Sequence, residues 1–106
     1  MSLDVYLELD GVEVFSANIT HNLGPMARAA GLYEALWRPE EIKATVAGDL
    51  VETVNAGYAR LALNPSEMKQ YNPTNGWGSW DGFVPWVARY LEACKKYPKA
   101  RVTASR

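Results

Sequence analysis

His21 is the only histidine in the chain, and it stands in Asn18-Ile19-Thr20-His21-Asn22, between a strand-like and a helix-like stretch. An imidazole near neutrality serves as acid, base or hydrogen-bond donor. Connections between regular elements often carry binding groups. A histidine that only braces the connection accounts for the position at least as well. Asn22 has the same two readings: a polar contact for a ligand, or a partner for the free N–H groups at a helix start. Arg38 lies in Trp37-Arg38-Pro39-Glu40-Glu41. A guanidinium beside an indole could clamp a phosphate or carboxylate. A solvated cluster with Glu40 and Glu41 explains the same residues and would contribute little stability.

The most unusual stretch is Asn75-Gly76-Trp77-Gly78-Ser79-Trp80-Asp81. Large aromatics in a glycine-rich loop must pack on something. The core is the usual answer; a base or sugar ring is the functional one. Glycines let the backbone approach a ligand, and Asn75, Ser79 and Asp81 add polar groups. The candidate ligand-binding set is therefore His21, Asn22, Arg38, Asn75, Trp77, Trp80 and Asp81, with Trp77 as the best exposed aromatic. Were the chain an enzyme, His21 would be its general acid or base, oriented by Asn22 or Asp81.

Other chemistries find no support. The sequence has no HExxH, P-loop, GxSxG or GxGxxG pattern. One histidine, one cysteine (Cys94) and scattered acids predict no metal site and no cofactor. Glu40 and Glu41 are adjacent and so form no carboxylate dyad, while Asp49 and Glu52 share a solvated helix face. Net charge is −1, which argues against a nucleic-acid partner. Residues 1–53 hold nine acids and three basic residues, and residues 54–106 hold three and eight. Mutual neutralisation on packing is the simplest use of that asymmetry. A phosphate-binding patch at Lys95, Lys96, Lys99, Arg101 and Arg106 is the alternative. With a single cysteine, no signal-like start and no apolar run near bilayer length, the expected setting is cytoplasmic, without a membrane partner.

A chain of 106 residues with 48% hydrophobic and 22% charged residues suits one α+β domain over 1–106. Leu3, Val5, Leu7 and Leu9 alternate with polar residues, giving a half-buried strand. Asp10-Gly11 turns it into a second strand, Val12–Ile19, whose phase slips between Val14 and Phe15 and so predicts a bulge. Pro25 opens a helix to Leu36 with a stripe at Met26, Ala30, Tyr33 and Trp37. Pro39 opens another, whose stripe is Val46, Leu50, Val54, Tyr58 and Leu61; Gly57 permits a close helix contact. Asn64 would cap a helical turn from Pro65 to Gln70. Tyr71 to Trp80 is a loop. Asp81 would cap a last helix with Phe83, Val84, Val87, Tyr90, Leu91 and Cys94 inward, and with Pro85 inside its first turn. Arg101–Ser105 is a short basic strand suited to the acidic hairpin. The expected architecture is ββααβ: a small three-stranded antiparallel sheet with three helices on one face.

Residues 20–41, THNLGPMARAAGLYEALWRPEE, and 71–94, YNPTNGWGSWDGFVPWVARYLEAC, resemble a family of small bacterial and phage proteins. The shared features are an HNL…GLY…LWRP start and an NGWG loop before a helix. The family has no known activity, so the resemblance implies no catalytic role. It implies a bacterial or phage cytosolic setting.

These readings favour a non-catalytic binding module in which the His21, Arg38 and Trp77 segments meet at one end of the sheet around a polar or phosphorylated small molecule. The alternatives are an interaction protein, homo-oligomeric or not, anchored by exposed tryptophans, and a small enzyme using His21.

Overall fold

The computed structural model describes residues 2–106. Its centre is strand β1 (Ser2–Leu9), on which Leu3, Val5 and Leu7 are wholly buried on one face. Asp10 and Gly11 both take positive φ, 53° and 79°, and so close the hairpin to β2 (Val12–Thr20). The register runs Leu7 to Phe15 and then Glu8 to Glu13, leaving Val14 as the extra residue. The bulge thus falls where the apolar phase slips. Strand β3 (Arg101–Ser105) pairs antiparallel on the other side of β1, giving the order β2-β1-β3. Arg101 lies opposite Glu8, an opposite-charge cross-strand pair. The fold is α+β, as expected, with the helices on the buried face of the sheet.

The helices between depart from the simple reading in several places. The stretch from Pro25 to Leu36 is not one helix. It splits into α1 (Gly24–Ala29) and α2 (Tyr33–Trp37) at Gly31, which has φ 76°. The Leu32 N–H donates to the Ala27 carbonyl at 2.8 Å, and the Gly31 N–H to Arg28 at 3.1 Å. This is the 6→1 and 5→2 pairing of a glycine-terminated helix. The next helix also starts late. Pro39–Ile42 is a single 3-10 turn, Ala47–Leu50 is another, and α3 begins only at Val51 and ends at Leu63. Val46 leaves the helical stripe to bridge Arg101, and the Thr45 carbonyl accepts from the Val102 N–H at 3.0 Å. The Asp49 carboxylate takes the Thr45 and Val46 N–H groups at 3.1 and 3.2 Å, so it is engaged in this turn rather than idle on a solvated face. Those same N–H groups hold its carboxyl below the usual range. The extended segment also covers part of the β3 edge.

Gly57 on α3 does permit close approach. A Cβ built there would lie 2.3 Å from both Cγ and Cδ2 of Leu32. Two short turns follow, α4 (Pro65–Met68) and Lys69–Tyr71. Asn64 precedes them, but its side chain donates backwards to the Arg60 carbonyl instead of capping. The last helix, α5 (Trp80–Lys96), starts inside the expected loop. Ser79, not Asp81, is its cap: the Ser79 Oγ accepts from the Gly82 N–H at 3.2 Å. Pro85 is the sixth helical residue, beyond the first turn, so the Asp81 carbonyl goes without its helical donor.

Phe83, Val87, Tyr90, Leu91 and Cys94 are buried as the spacing predicts, and Trp86 joins them. Tyr90 stacks on Phe15 at 5.9 Å between centroids and lies 5.8 Å from Trp86. Its hydroxyl is buried with no hydrogen-bond partner. Burial drives that hydroxyl's pKa well up and pushes the Cys94 thiol up to about 12. An unpartnered buried hydroxyl forfeits its hydration for nothing, at about 1–3 kcal/mol. Tyr90→Phe keeps the stack and removes that cost, so it should raise stability by about 1 kcal/mol in a denaturant titration. A loss of stability would mean that the hydroxyl has a partner after all.

Candidate functional site

The start of β1 and the ends of β2 and β3 lie at one end of the sheet, because Ser2 is in register with Thr20 and Asp4 with both Asn18 and Ser105. His21 follows β2 directly, as the first residue of a 3-10 turn, His21–Leu23. Thr20 caps this turn: its Oγ1 accepts from the Asn22 N–H at 3.2 Å. Asn22 is therefore not needed as a cap, and its side chain is exposed.

The His21 ring is held by Trp37. The Trp37 Nε1–H donates to His21 Nδ1 at 2.8 Å, and Trp37 itself is only 3% exposed. An indole N–H can only donate, so Nδ1 must be an unprotonated acceptor. The neutral ring then carries its proton on Nε2. His21 is thus a directed donor. A general base would need a free unprotonated nitrogen, and the one it has is occupied.

Trp77 reaches the same place from the opposite direction. Its loop is fixed by short-range bonds: Asn75 Oδ1 accepts from the Trp77 N–H at 3.0 Å, and Asn72 Oδ1 from the Trp80 N–H at 2.7 Å. Gly76 and Gly78 take φ 80° and 96°. At Gly78 a Cβ would come within 2.8 Å of Thr20 Cγ2 and 3.0 Å of Leu23 Cγ. Only glycine lets the loop press this closely on the end of β2. Trp77 is left 69% exposed beside His21 and Asn22. With Ser2, Asn18 and Thr20 they line an open hollow of about 530 Å³. The Asn18 amide is already committed, donating to Ser2 Oγ at 2.9 Å and Asp4 Oδ1 at 2.7 Å.

A second hollow, of about 280 Å³, adjoins the first across His21. Arg28, Tyr33, Arg38 and Arg106 supply its polar walls. The Arg28 guanidinium lies 3.9 Å over the Tyr33 ring, which stacks on Trp37 at 5.4 Å and 9°. Arg38 pairs with Glu41 at 3.5 Å, the solvated cluster expected from sequence, yet it also faces this hollow. Its guanidinium pKa is raised, first by the Tyr33 hydroxyl and then by Glu41 and Glu40. Arg106 donates to the Trp37 carbonyl and to Glu40, both at 2.9 Å. The Glu40 carboxyl falls below its usual range through its own backbone N–H first and Arg106 second.

Of the candidate residues, His21, Asn22 and Trp77 share one hollow, and Arg38 stands across His21 in the other. Asn75, Trp80 and Asp81 line neither. Asn75 shapes the loop. Trp80 turns inward, donating its Nε1–H to the Leu61 carbonyl at 3.0 Å beneath Lys69, and braces α5 on α3. Asp81 is exposed on the first turn of α5, where a carboxylate suits the helix dipole. Ser2, Asn18, Thr20, Arg28 and Tyr33 are additions that the sequence reading missed, and Arg106, which it named only in a C-terminal basic patch, joins Arg38 here. The strand alternation placed Asn18 and Thr20 off the helix-packed face. Nothing local placed Arg106 beside Trp37. Comparison with protein-family models, with curated proteins and with solved structures finds no match to the chain. No helix among the described residues is long and apolar enough to cross a membrane.

Proposed function

We propose that the chain is a non-catalytic binding module for a small, planar, polar ligand. The ring of the ligand lies on Trp77 and offers a carbonyl or similar acceptor to His21 Nε2–H. The observation that carries this reading is the Trp37–His21 hydrogen bond, which gives the histidine a single donor role next to the most exposed tryptophan. It also weighs against the enzyme reading, since a proton taken up on Nδ1 would confront the Trp37 N–H.

Calorimetric titration with adenosine and uridine, as planar probes rich in acceptors, tests the reading. Base stacking on an aromatic side chain is worth about 1–3 kcal/mol, so Trp77→Ala should weaken binding roughly 10- to 100-fold. The thermal midpoint should not move, because the side chain packs on little. Absence of saturable binding by either probe would count against the proposal. So would equal affinity in the variant, or a Trp77→Ala protein destabilised as a core variant is.

A further inference from the structure

We propose that the hollow bounded by Arg28, Tyr33, Arg38 and Arg106 is an oxyanion subsite that takes the phosphomonoester group of the ligand whose ring lies on Trp77. The inference rests on the ligand reading above for the ring, but not for the anion.

Three guanidinium groups come to one hollow, from α1, from just past α2 and from just past β3. Two of them have carboxylate partners, Glu41 for Arg38 and Glu40 for Arg106. Arg28 has no ion-pair partner among the described residues. It sits over the Tyr33 ring instead, its Cζ 3.9 Å from the centroid. A guanidinium held there by cation–π attraction keeps N–H donors with which to grip a carboxylate or phosphate through two parallel bonds. Tyr33 stacks in turn on Trp37, whose indole N–H holds His21, so one series of contacts sets both the cation and the imidazole donor. His21 faces both hollows. A ligand on Trp77 therefore extends its polar tail past His21 Nε2–H towards Arg28. A dianionic phosphate suits the site better than a carboxylate. It has enough acceptor oxygens for Arg28, Arg38 and His21 together, and charge enough to compete with Glu41 for Arg38. That ion pair is exposed and 3.5 Å long, so it yields at little cost.

Adenosine, AMP and inorganic phosphate, each titrated into the wild-type chain, Arg28→Gln and Trp77→Ala, test the subsite, with calorimetry for affinity and ¹H–¹⁵N spectra for location. AMP should bind at least 10-fold tighter than adenosine. Arg28→Gln should abolish that advantage while leaving adenosine affinity unchanged. Arg28→Lys, which keeps the charge but loses the planar fork, should restore only part of it. Inorganic phosphate should shift the Arg28 and His21 side-chain signals saturably, and Arg28→Gln should remove those shifts. AMP no tighter than adenosine, or an advantage that survives Arg28→Gln, would overturn the subsite. The two readings fail separately. Phosphate shifts that depend on Arg28, without adenosine binding, leave the oxyanion subsite standing and remove the ring contact. Adenosine binding that depends on Trp77, without phosphate shifts, does the reverse.

Discussion

Gly57→Ala should lower the stability of the chain by about 1–3 kcal/mol, although alanine is the better helix former. In a free helix the substitution would gain about 1 kcal/mol. Here the new methyl would fall 2.3 Å from Leu32 Cγ and Cδ2, inside any possible contact distance. Leu32 has little room to yield. It is wholly buried, and its backbone is fixed by the Leu32 N–H to Ala27 bond that terminates α1. The overlap is therefore relieved only by shifting α3 or forcing Leu32 off its rotamer, and overpacking of this kind costs about 1–3 kcal/mol after relaxation. Leu32→Ala alone should also destabilise, by leaving a cavity. Combined with Gly57→Ala it should cost less than the sum, because the methyl enters the space the leucine vacates. Equilibrium denaturation of the four proteins in this cycle measures the coupling. A Gly57→Ala chain as stable as the parent would show that α3 and the α1–α2 turn are further apart than described.

Trp37→Phe should cost about 2–3 kcal/mol and undo the set of His21 together. The phenyl ring fills less of a site that is 3% exposed, and its stack on Tyr33 shrinks. The indole N–H to His21 Nδ1 bond disappears, leaving a partly buried acceptor without its donor. The stability change would appear in denaturation. The change at His21 would appear in ¹⁵N spectra of the imidazole. The parent should show one unprotonated nitrogen, Nδ1, and one protonated, Nε2. The variant should show tautomers in exchange, since nothing then distinguishes the two nitrogens as strongly. Affinity for the planar probes should fall with it, because the donor is no longer aimed. A variant with the parent's tautomer pattern would mean that some other group orients His21. Trp77→Ala makes the useful contrast: the exposed tryptophan should affect binding alone, the buried one both binding and stability.

Much of the fold was legible in short stretches of sequence. The alternation of Leu3, Val5 and Leu7, the Asp10-Gly11 turn and the phase slip at Val14 are local patterns, and local sterics turn each into the hairpin and bulge observed. The inward face of α5 is equally local, since 3.6-residue spacing needs no partner to be recognised. Apart from local capping choices such as Ser79 for Asp81, the misread segments are those in which a residue answers to something distant. Val46 continues a helical stripe in sequence, but β3 offers it a strand partner. Gly31 lies inside a stripe that runs on past it, yet the stop there aims Leu32 at the cleft that Gly57 leaves.

The candidate site divides along the same line. Sequence by itself singled out a lone histidine, an arginine beside a tryptophan and a glycine-flanked tryptophan, because residue type and turn chemistry are readable without a structure. It also named Trp77 as the best exposed aromatic, and that side chain is 69% exposed. It could not decide that Trp37 holds His21, nor that Arg28 and Arg106 join Arg38. The Trp37 bond to His21 and the Arg106 bond to Trp37 span 16 and 69 positions in the chain. Side-chain direction at such separations is set by how the sheet and helices pack, and no window of sequence contains it.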